Sequence, residues 1–553
     1  MRFNNSVLRE VFNSKNIHYL FWILPLFHLF LGTLAHQMLG YFYLVSKDPE
    51  YFHLISGVAM GTLRLDTGYI DHPGIPIQMV IAVASRIVFF LSDNKSIIHD
   101  VIQHPEMYIF ASNLLFNLIF AGIILLIGYK ATKYTNDYRA GILLQLGFFA
   151  NISLLTVSGR LLPEGFMLMP LGLLILLTIK YLYDEHPERQ WRMYLILFSI
   201  LVGWGLATKL SFAPFFLIPL IIIPGIKRKL ALAGLSLLAF LIIAFPVISH
   251  LDYFWDWTSK MFVHSGKWGR GEANFMDLSQ VPHRVYLLYQ EDAMVFFLTG
   301  ILLLETIALA IFRPPLKFLK KYFIVSFTTV ASILVMILLI TKHFAWHYFI
   351  PVMVFKSFLI FLIIWPLYYL IKGKSYGTYL PWTAVLVAFV VMIFSIHNLA
   401  TSTFSKRNDH QMERLVDFKS QVSEDDILII SAHYAGAPWK AYAISGGMLL
   451  SGPGHKRYKQ AFANEYPNIY MYYGWAKKFF KSYQYVDSKQ LLEQNKSIYI
   501  YIGKGKDKDL DVIVDRFRNN NPGMNFTVEQ VVSNEHGGDK MYRLKSNNLT
   551  VNQ

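Results

Sequence analysis

The 553-residue chain contains no cysteine, which excludes disulfides, thiolate metal sites and cysteine nucleophiles while leaving its compartment open. Charge is scarce too: 16% of residues are Asp, Glu, Lys or Arg, against 54% hydrophobic. The apolar residues fall in long runs from about Ile17 to about Ile396, so most of the length is one membrane unit rather than several soluble domains. A nucleotide fingerprint is lacking, because the glycines of SGGM (445–448) and SGPG (451–454) match no phosphate-binding spacing and read as loops. A cleavable leader is not indicated either. Arg2, Arg9 and Lys15 precede an apolar segment too long for a signal peptide, with no small-residue cleavage site after it, so the segment reads as a retained first membrane helix.

What is present is a succession of candidate spans, each near the roughly 20 apolar residues a bilayer requires. They cover 17–45, 107–129, 139–157, 165–182, 191–208, 210–226, 230–249, 293–312, 322–341, 350–371 and 378–397, about eleven in all. The net charge of +15 is set by Lys and Arg in short loops, which reads as membrane topology and not as a nucleic-acid surface. With the basic N-terminus inside, one side holds Lys130, Lys133 and Arg139; Lys180, Arg189 and Arg192; Lys227, Arg228 and Lys229; Arg313, Lys317, Lys320 and Lys321; and Lys372 with Lys374. A twelfth apolar stretch, Ile75 to Leu91, would reverse every later loop if it crossed. With Pro73, Pro76, Gln78 and Arg86 it reads instead as an interfacial helix. The first outer loop is then long, 46–106, and so is a second, 250–292. Residues 401–553 form a soluble tail on the outer side, with strand-like DILIISA (426–432), SIYIYIG (497–503) and MYRL (541–544) and a helix near 510–518. That is a small α/β domain following a membrane domain of residues 1–400.

Polar residues at the outer helix ends are the informative ones, since ionisable groups near hydrocarbon are costly. Four clusters stand out: Asp48 and Glu50 in SKDPEYFH, followed by Asp66, Asp71 and His72; Arg160 and Glu164 in SGRLLPEGF; Lys209 in ATKLS; and Lys342, His343 and His347 in TKHFAWHYFIP. Outer cations at 160, 209 and 342 are exceptions to the positive-inside rule, and an anionic ligand such as a phosphate would explain them. Carboxylates beside them suit a sugar transfer in which one deprotonates a hydroxyl while the cations stabilise a departing phosphate. Each has a plainer alternative. Asp48 and Glu50 suit a solvated loop, Arg160 and Glu164 are four apart and could pair with each other, Lys209 could snorkel to headgroups, and His343 and His347 fit a metal pair on one helix face or ordinary interfacial hydrogen bonding.

Taken in order, KDPEY after the first span, DHPGIP in an interfacial segment, RLLPE at an outer turn, Lys209 after GLAT and the late HYFIP resemble the GT-C superfamily of membrane glycosyltransferases. The likeness is to the relatives of protein O-mannosyltransferases and lipid A aminoarabinose transferases, and it covers roughly 17–397. It implies a GT-C-like fold of α-helical spans and interfacial helices, with Asp48 as general base and Glu50 beside it, although Pro49 separates the acidic pair usual in the superfamily. It implies that Glu164 joins them in catalysis, as Glu in place of a usual Asp four residues after Arg160. Arg160, Lys209 and Lys342 would bind the donor phosphate, as would Lys267 and Arg270 of HSGKWGRGE, a segment similar to glycine-rich stretches of bacterial relatives. Asp71, His72, His264, His343, His347 and Tyr348 would contact substrate.

The expected function is therefore transfer of a sugar from a polyprenyl-phosphate donor to a lipid, glycan or protein hydroxyl at the outer membrane face. The donor, its acceptor and membrane lipids are the expected partners, and nucleic acid is not. No cofactor is required, and a divalent metal is left open. Bacterial inner membrane with the tail in the periplasm is the expected location. The rivals are a flippase or transporter of lipid-linked sugars, which predicts internal repeats and mid-membrane charges, an oligosaccharide ligase using a pyrophosphate donor, and a silent scaffold. Sugar, acceptor, carrier length, the tail's role and oligomeric state are not legible.

Overall fold

The computed structural model describes residues 17–40, 50–63, 69–70, 73–264, 271–273, 276–312, 317–371, 377–404, 417–432, 439, 458–474, 477–481, 484–534 and 538–548. Asp48, Asp66, Asp71, His72, Lys267 and Arg270 lie outside the described residues. The helices in chain order are α1 (Ile17–Leu39), α2 (Glu50–Gly61), α3 (Ile75–Phe90), α4 (Ile97–Gln103), α5 (Pro105–Thr135), α6 (Tyr138–Leu146), α7 (Ile152–Ser158), α8 (Pro163–Tyr183), α9 (Trp191–Thr208), α10 (Leu217–Ile222), α11 (Ile226–Ile243), α12 (Leu251–Val263), α13 (Val281–Glu291), α14 (Ala293–Phe312), α15 (Lys317–Lys342), α16 (Ile350–Met353), α17 (Phe355–Ile371) and α18 (Leu380–Asn398). The tail adds α19 (Tyr458–Glu465), α20 (Ser488–Leu492) and α21 (Asp507–Asn520).

Among the described residues, eight helical stretches are long and apolar enough to cross a membrane, or nine if the bent pair Tyr138–Phe149 and Ile152–Ser158 counts as one span. The chain is an integral, multi-pass membrane protein. The difference from eleven has local causes. The expected span 210–226 is a 3-10 turn over Leu210–Phe216 followed by the six residues of α10, because Pro214 and Pro219 interrupt the backbone ladder. The expected span 230–249 begins earlier, as the 18-residue α11 with Lys227, Arg228 and Lys229 in its first turn, and stops before Pro246. The two are consecutive, so counting both or neither leaves every later loop on the same side.

The chain divides into two compact units, with one cut between Ala400 and Thr401 and further cuts within the N-terminal 112 residues. One comprises residues 1–36, 70–77 and 113–400; the other combines 37–69, 78–112 and the tail 401–553, so most of the stretch 46–106 groups with the C-terminal sheet domain.

In the second unit, the tail is a seven-stranded sheet of order β4-β3-β2-β1-β5-β7-β6. Its strands are β1 (Ile427–Ser431), β2 (Ile469–Tyr473), β3 (Lys478–Lys481), β4 (Gln484–Val486), β5 (Ile498–Ile502), β6 (Met524–Ser533) and β7 (Lys540–Asn548). The central β2, β1 and β5 are parallel, and the flanking pairs are antiparallel. ILIIS and IYIYI are unbroken apolar runs because both faces of a parallel centre are buried. Ile427 and Ile429 pack with Ile513, Val514 and Phe517 of α21, while Leu428 and Ile430 join Phe418, Met471 and Tyr501 on the other face.

The loop helices of this unit pack tightly. Gly57 and Gly61 form a GxxxG pair against α3, where a Cβ on Gly57 would stand 2.5 Å from an Ile81 side-chain carbon and one on Gly61 would stand 3.2 Å from the Ala82 carbonyl oxygen. Helix α3 is amphipathic, burying Gln78, Ile81 and Ser85 while exposing Met79, Val83, Ile87 and Phe90, as a helix at a lipid interface would. The tail is fastened to these helices by Tyr458, whose hydroxyl donates to the Ile55 carbonyl at 3.0 Å, by Tyr466, whose hydroxyl donates to the Ile102 carbonyl at 3.2 Å, and by Gln103, which donates to Glu465 at 3.1 Å.

Asp100 locks α4 in this assembly, accepting from Tyr108 at 2.5 Å and Asn94 at 2.6 Å. Burial pushes its carboxyl up, but hydrogen bonds from Tyr108, Asn94 and Ser92, with His104 nearby, outweigh burial and hold it below its ordinary range. Its stabilisation is therefore complete above the unfolded value of about 4 and is lost as pH falls through the lower folded value. Asp100→Asn should cost about 1–3 kcal/mol at neutral pH, read as a lower melting temperature in detergent. That gap should narrow below about pH 4; a gap unchanged down to pH 3 would contradict the assignment.

Candidate functional site

Three of the four outer clusters meet in the first unit. Glu164 stands in the first turn of α8, behind Pro163 at the helix start, where the helix dipole favours a carboxylate. Lys209 is the residue that ends α9, where the dipole favours a cation. The two form a buried ion pair, with both side chains about 5–6% exposed. His347 and Tyr348 come from the 3-10 turn Trp346–Phe349. His347 Nε2 lies 3.9 Å from the same Glu164 oxygen, and the Lys209 ammonium sits 4.1 Å from the centre of the Tyr348 ring, a cation–π contact that strengthens when desolvated. The His347 side chain is 43% exposed, so the cluster opens outward on that side.

Glu164 thus pairs with Lys209, 45 positions along the chain, and not with Arg160 in its own turn. The reason is geometric: Arg160 precedes Pro163 and lies outside α8, so the spacing of four never falls on one helix face. Arg160 is itself buried, 2% exposed. The turn carrying it is held by side chains from α1 and α5. Asn113 and Asn117 donate to the Ser158 carbonyl at 3.0 and 2.9 Å, and the His36 Nδ1–H bonds the Gly159 carbonyl at 3.0 Å. A side chain at 159 would be driven to 2.8 Å from the α1 backbone at Ala35 and His36, so only glycine permits this approach.

Lys342 and His343 bond the end of α12. Lys342 donates to the Phe262 carbonyl at 2.5 Å and His343 Nε2 bonds the Met261 carbonyl at 2.7 Å, so both serve the last-turn carbonyls of α12 in the second outer loop. Arg284 adds a bond to the Thr341 carbonyl at 2.5 Å. Helix α15 stops at Lys342 and the next turn begins at Trp346, so His343 and His347 do not share a helix face as their spacing suggested. Among the described residues no group of three or more His, Asp or Glu is arranged to hold a metal ion. His264 bonds the Gly271 carbonyl at 3.0 Å, joining the two flanks of the segment that carries Lys267 and Arg270. Glu50 is fully buried in the first turn of α2, in the second unit.

Sequence reasoning passed over a second buried network at the helix ends. Asp292, which caps α14 by accepting from the Val295 amide at 3.4 Å, forms an ion pair with Lys356 of α17. Lys356 also donates to the Ala150 carbonyl at 2.6 Å, and Asn151 donates to Asp292 at 2.9 Å. The available signal was a lone lysine in an otherwise apolar run, Ile350 to Ile371.

By sequence, no known protein family and no curated relative matches the chain. By structure it is similar to ArnT from Cupriavidus metallidurans, in a crystal structure bound to undecaprenyl phosphate, with a TM-score of 0.51 over 96% of this chain and 98% of that one at 10% identity. The chain shares the fold of that protein. Coverage of almost the whole of both chains means that the shared fold includes the C-terminal domain, which sequence motifs had left unmatched.

The Glu164–Lys209 pair sets a test of the cluster. Glu164→Gln should strand a buried ammonium and Lys209→Met a buried carboxylate, each costing about 3–5 kcal/mol, while a double Glu164→Leu/Lys209→Leu variant should regain most of that loss. Melting temperatures in detergent decide it; additive losses in the double variant would show that the two do not act as a pair.

Proposed function

We propose that the chain moves a sugar from a polyprenyl-phosphate carrier to an acceptor hydroxyl at the outer face of the membrane. The observation that carries this reading is the buried Glu164–Lys209 pair with His347 and Tyr348 beside it, at the outer helix ends of a fold shared with a protein crystallised with undecaprenyl phosphate. Such a cluster suits an anionic lipid headgroup, because buried donors act on a phosphate more strongly than they would in water.

In the proposed reaction Asp48 takes the proton of the acceptor hydroxyl, and that oxygen attacks the anomeric carbon. The bond from that carbon to the phosphate oxygen breaks, and the phosphate leaves with the electron pair. Arg160 and Lys209 stabilise the departing phosphate, and Lys267 and Arg270 of the second outer loop add to them. Glu164 holds Lys209 in place, and His347 and Tyr348 line the headgroup site. Lys342 and His343 act at one remove, since their bonds to the end of α12 hold the second loop. The displacement inverts the anomeric centre. Asp71, His72 and Glu50 are assigned to the acceptor side, and the C-terminal domain to acceptor recognition. The site belongs on the periplasmic face of a bacterial inner membrane, and the reaction as written runs without a metal.

The protein in nanodiscs, incubated with a panel of polyprenyl-phosphate sugars and acceptors, should release polyprenyl phosphate. Asp48→Asn should slow the release by roughly 10²–10⁴-fold, the usual weight of a general base, and Arg160→Gln should raise the donor KM. Parent-like turnover by Asp48→Asn would remove it from the mechanism, and failure to bind any lipid-linked sugar would overturn the proposal.

A further inference from the structure

We infer that Asp292 and Lys356 are positioning residues that set Arg160 and Glu164 in place by clamping the half-helix α7; the inference rests on the transferase reading of those two residues. Helix α7 has seven residues, Ile152–Ser158, too few to be stable alone, and it meets the preceding helical segment at 76°. Its direction must therefore be fixed from outside. At its start, Asn151 accepts from the Ser153 amide at 2.8 Å and donates to Asp292 at 2.9 Å, while Lys356, paired with that carboxylate, donates to the Ala150 carbonyl at 2.6 Å. At its end stand the bonds from Asn113, Asn117 and His36 to the Ser158 and Gly159 carbonyls. The next residue is Arg160, and Glu164 follows across Pro163.

The pair also joins distant pieces of chain. Asp292 is the residue before α14, and Lys356 lies in the first turn of α17, nine residues after His347. One ion pair thus links the break before α7, the start of α14 and the segment carrying His347 and Tyr348. Both side chains are only about 4% exposed. Two charges buried in apolar surroundings are poor stabilisers compared with packed hydrocarbon, so the clearest return on keeping them is a defined geometry.

The test uses the full chain in nanodiscs with Lys356→Met, Asp292→Asn and Asn151→Ser; serine keeps an N-cap for α7 but removes the link to Asp292. Hydrogen–deuterium exchange without ligand should speed up by about tenfold or more across residues 152–161 in all three variants, with the C-terminal domain unchanged. Lys356→Arg should keep the parent pattern. In turnover, the three variants should raise the donor KM several-fold with the acceptor KM unchanged, a split that a smaller folded fraction would not produce. Parent-like exchange over 152–161 in Asn151→Ser, or a fall in kcat with both KM values unchanged, would overturn the inference. If the parent protein turns over no donor, the transferase reading fails separately and the exchange result alone decides whether the pair clamps α7.

Discussion

The carboxylate of Glu164, buried at the start of α8, needs the Lys209 ammonium, and the neighbouring polar turn gathers around that pair. A lone charge of either sign at this depth would be expensive, whereas the pair is sustained by two opposed helix termini, since α8 begins at the carboxylate and α9 ends at the lysine. His347 and the Tyr348 ring then close on the pair from a third segment. Three polar turns far apart in sequence so become one cluster.

The membrane character and the apolar helices were legible because hydrocarbon imposes a length and a composition that the sequence states openly. The strands of the tail were legible from their apolar runs. Partner choice was not legible. Spacing allowed Glu164 to pair with Arg160, but Pro163 takes Arg160 out of the helix and Lys209 reaches Glu164 from elsewhere. His343 and His347 had helical spacing, but the helix ends between them. Lys342 drew notice as an outer cation, and its described partner is the end of α12, an element with no strong signal of its own. The Asp292–Lys356 pair was missed because each residue looks ordinary alone, and only folding brings 292 and 356 together.

The grouping of the first outer loop with the C-terminal domain changes how the two long extramembrane pieces are understood. Tyrosine hydroxyls from α19 bond backbone carbonyls of α2 and α4, so the tail is a structural partner of the loop that follows the first span and not an appendage.

Where the carrier phosphate binds is the central claim. The most direct measurement is photocrosslinking with a polyprenyl phosphate bearing a photoreactive group next to the phosphate, followed by peptide mapping of the labelled protein. The account predicts label in 158–166, 207–211 or 345–350, displaced by unmodified polyprenyl phosphate. Label confined to other segments, or label that unmodified carrier does not displace, would contradict it.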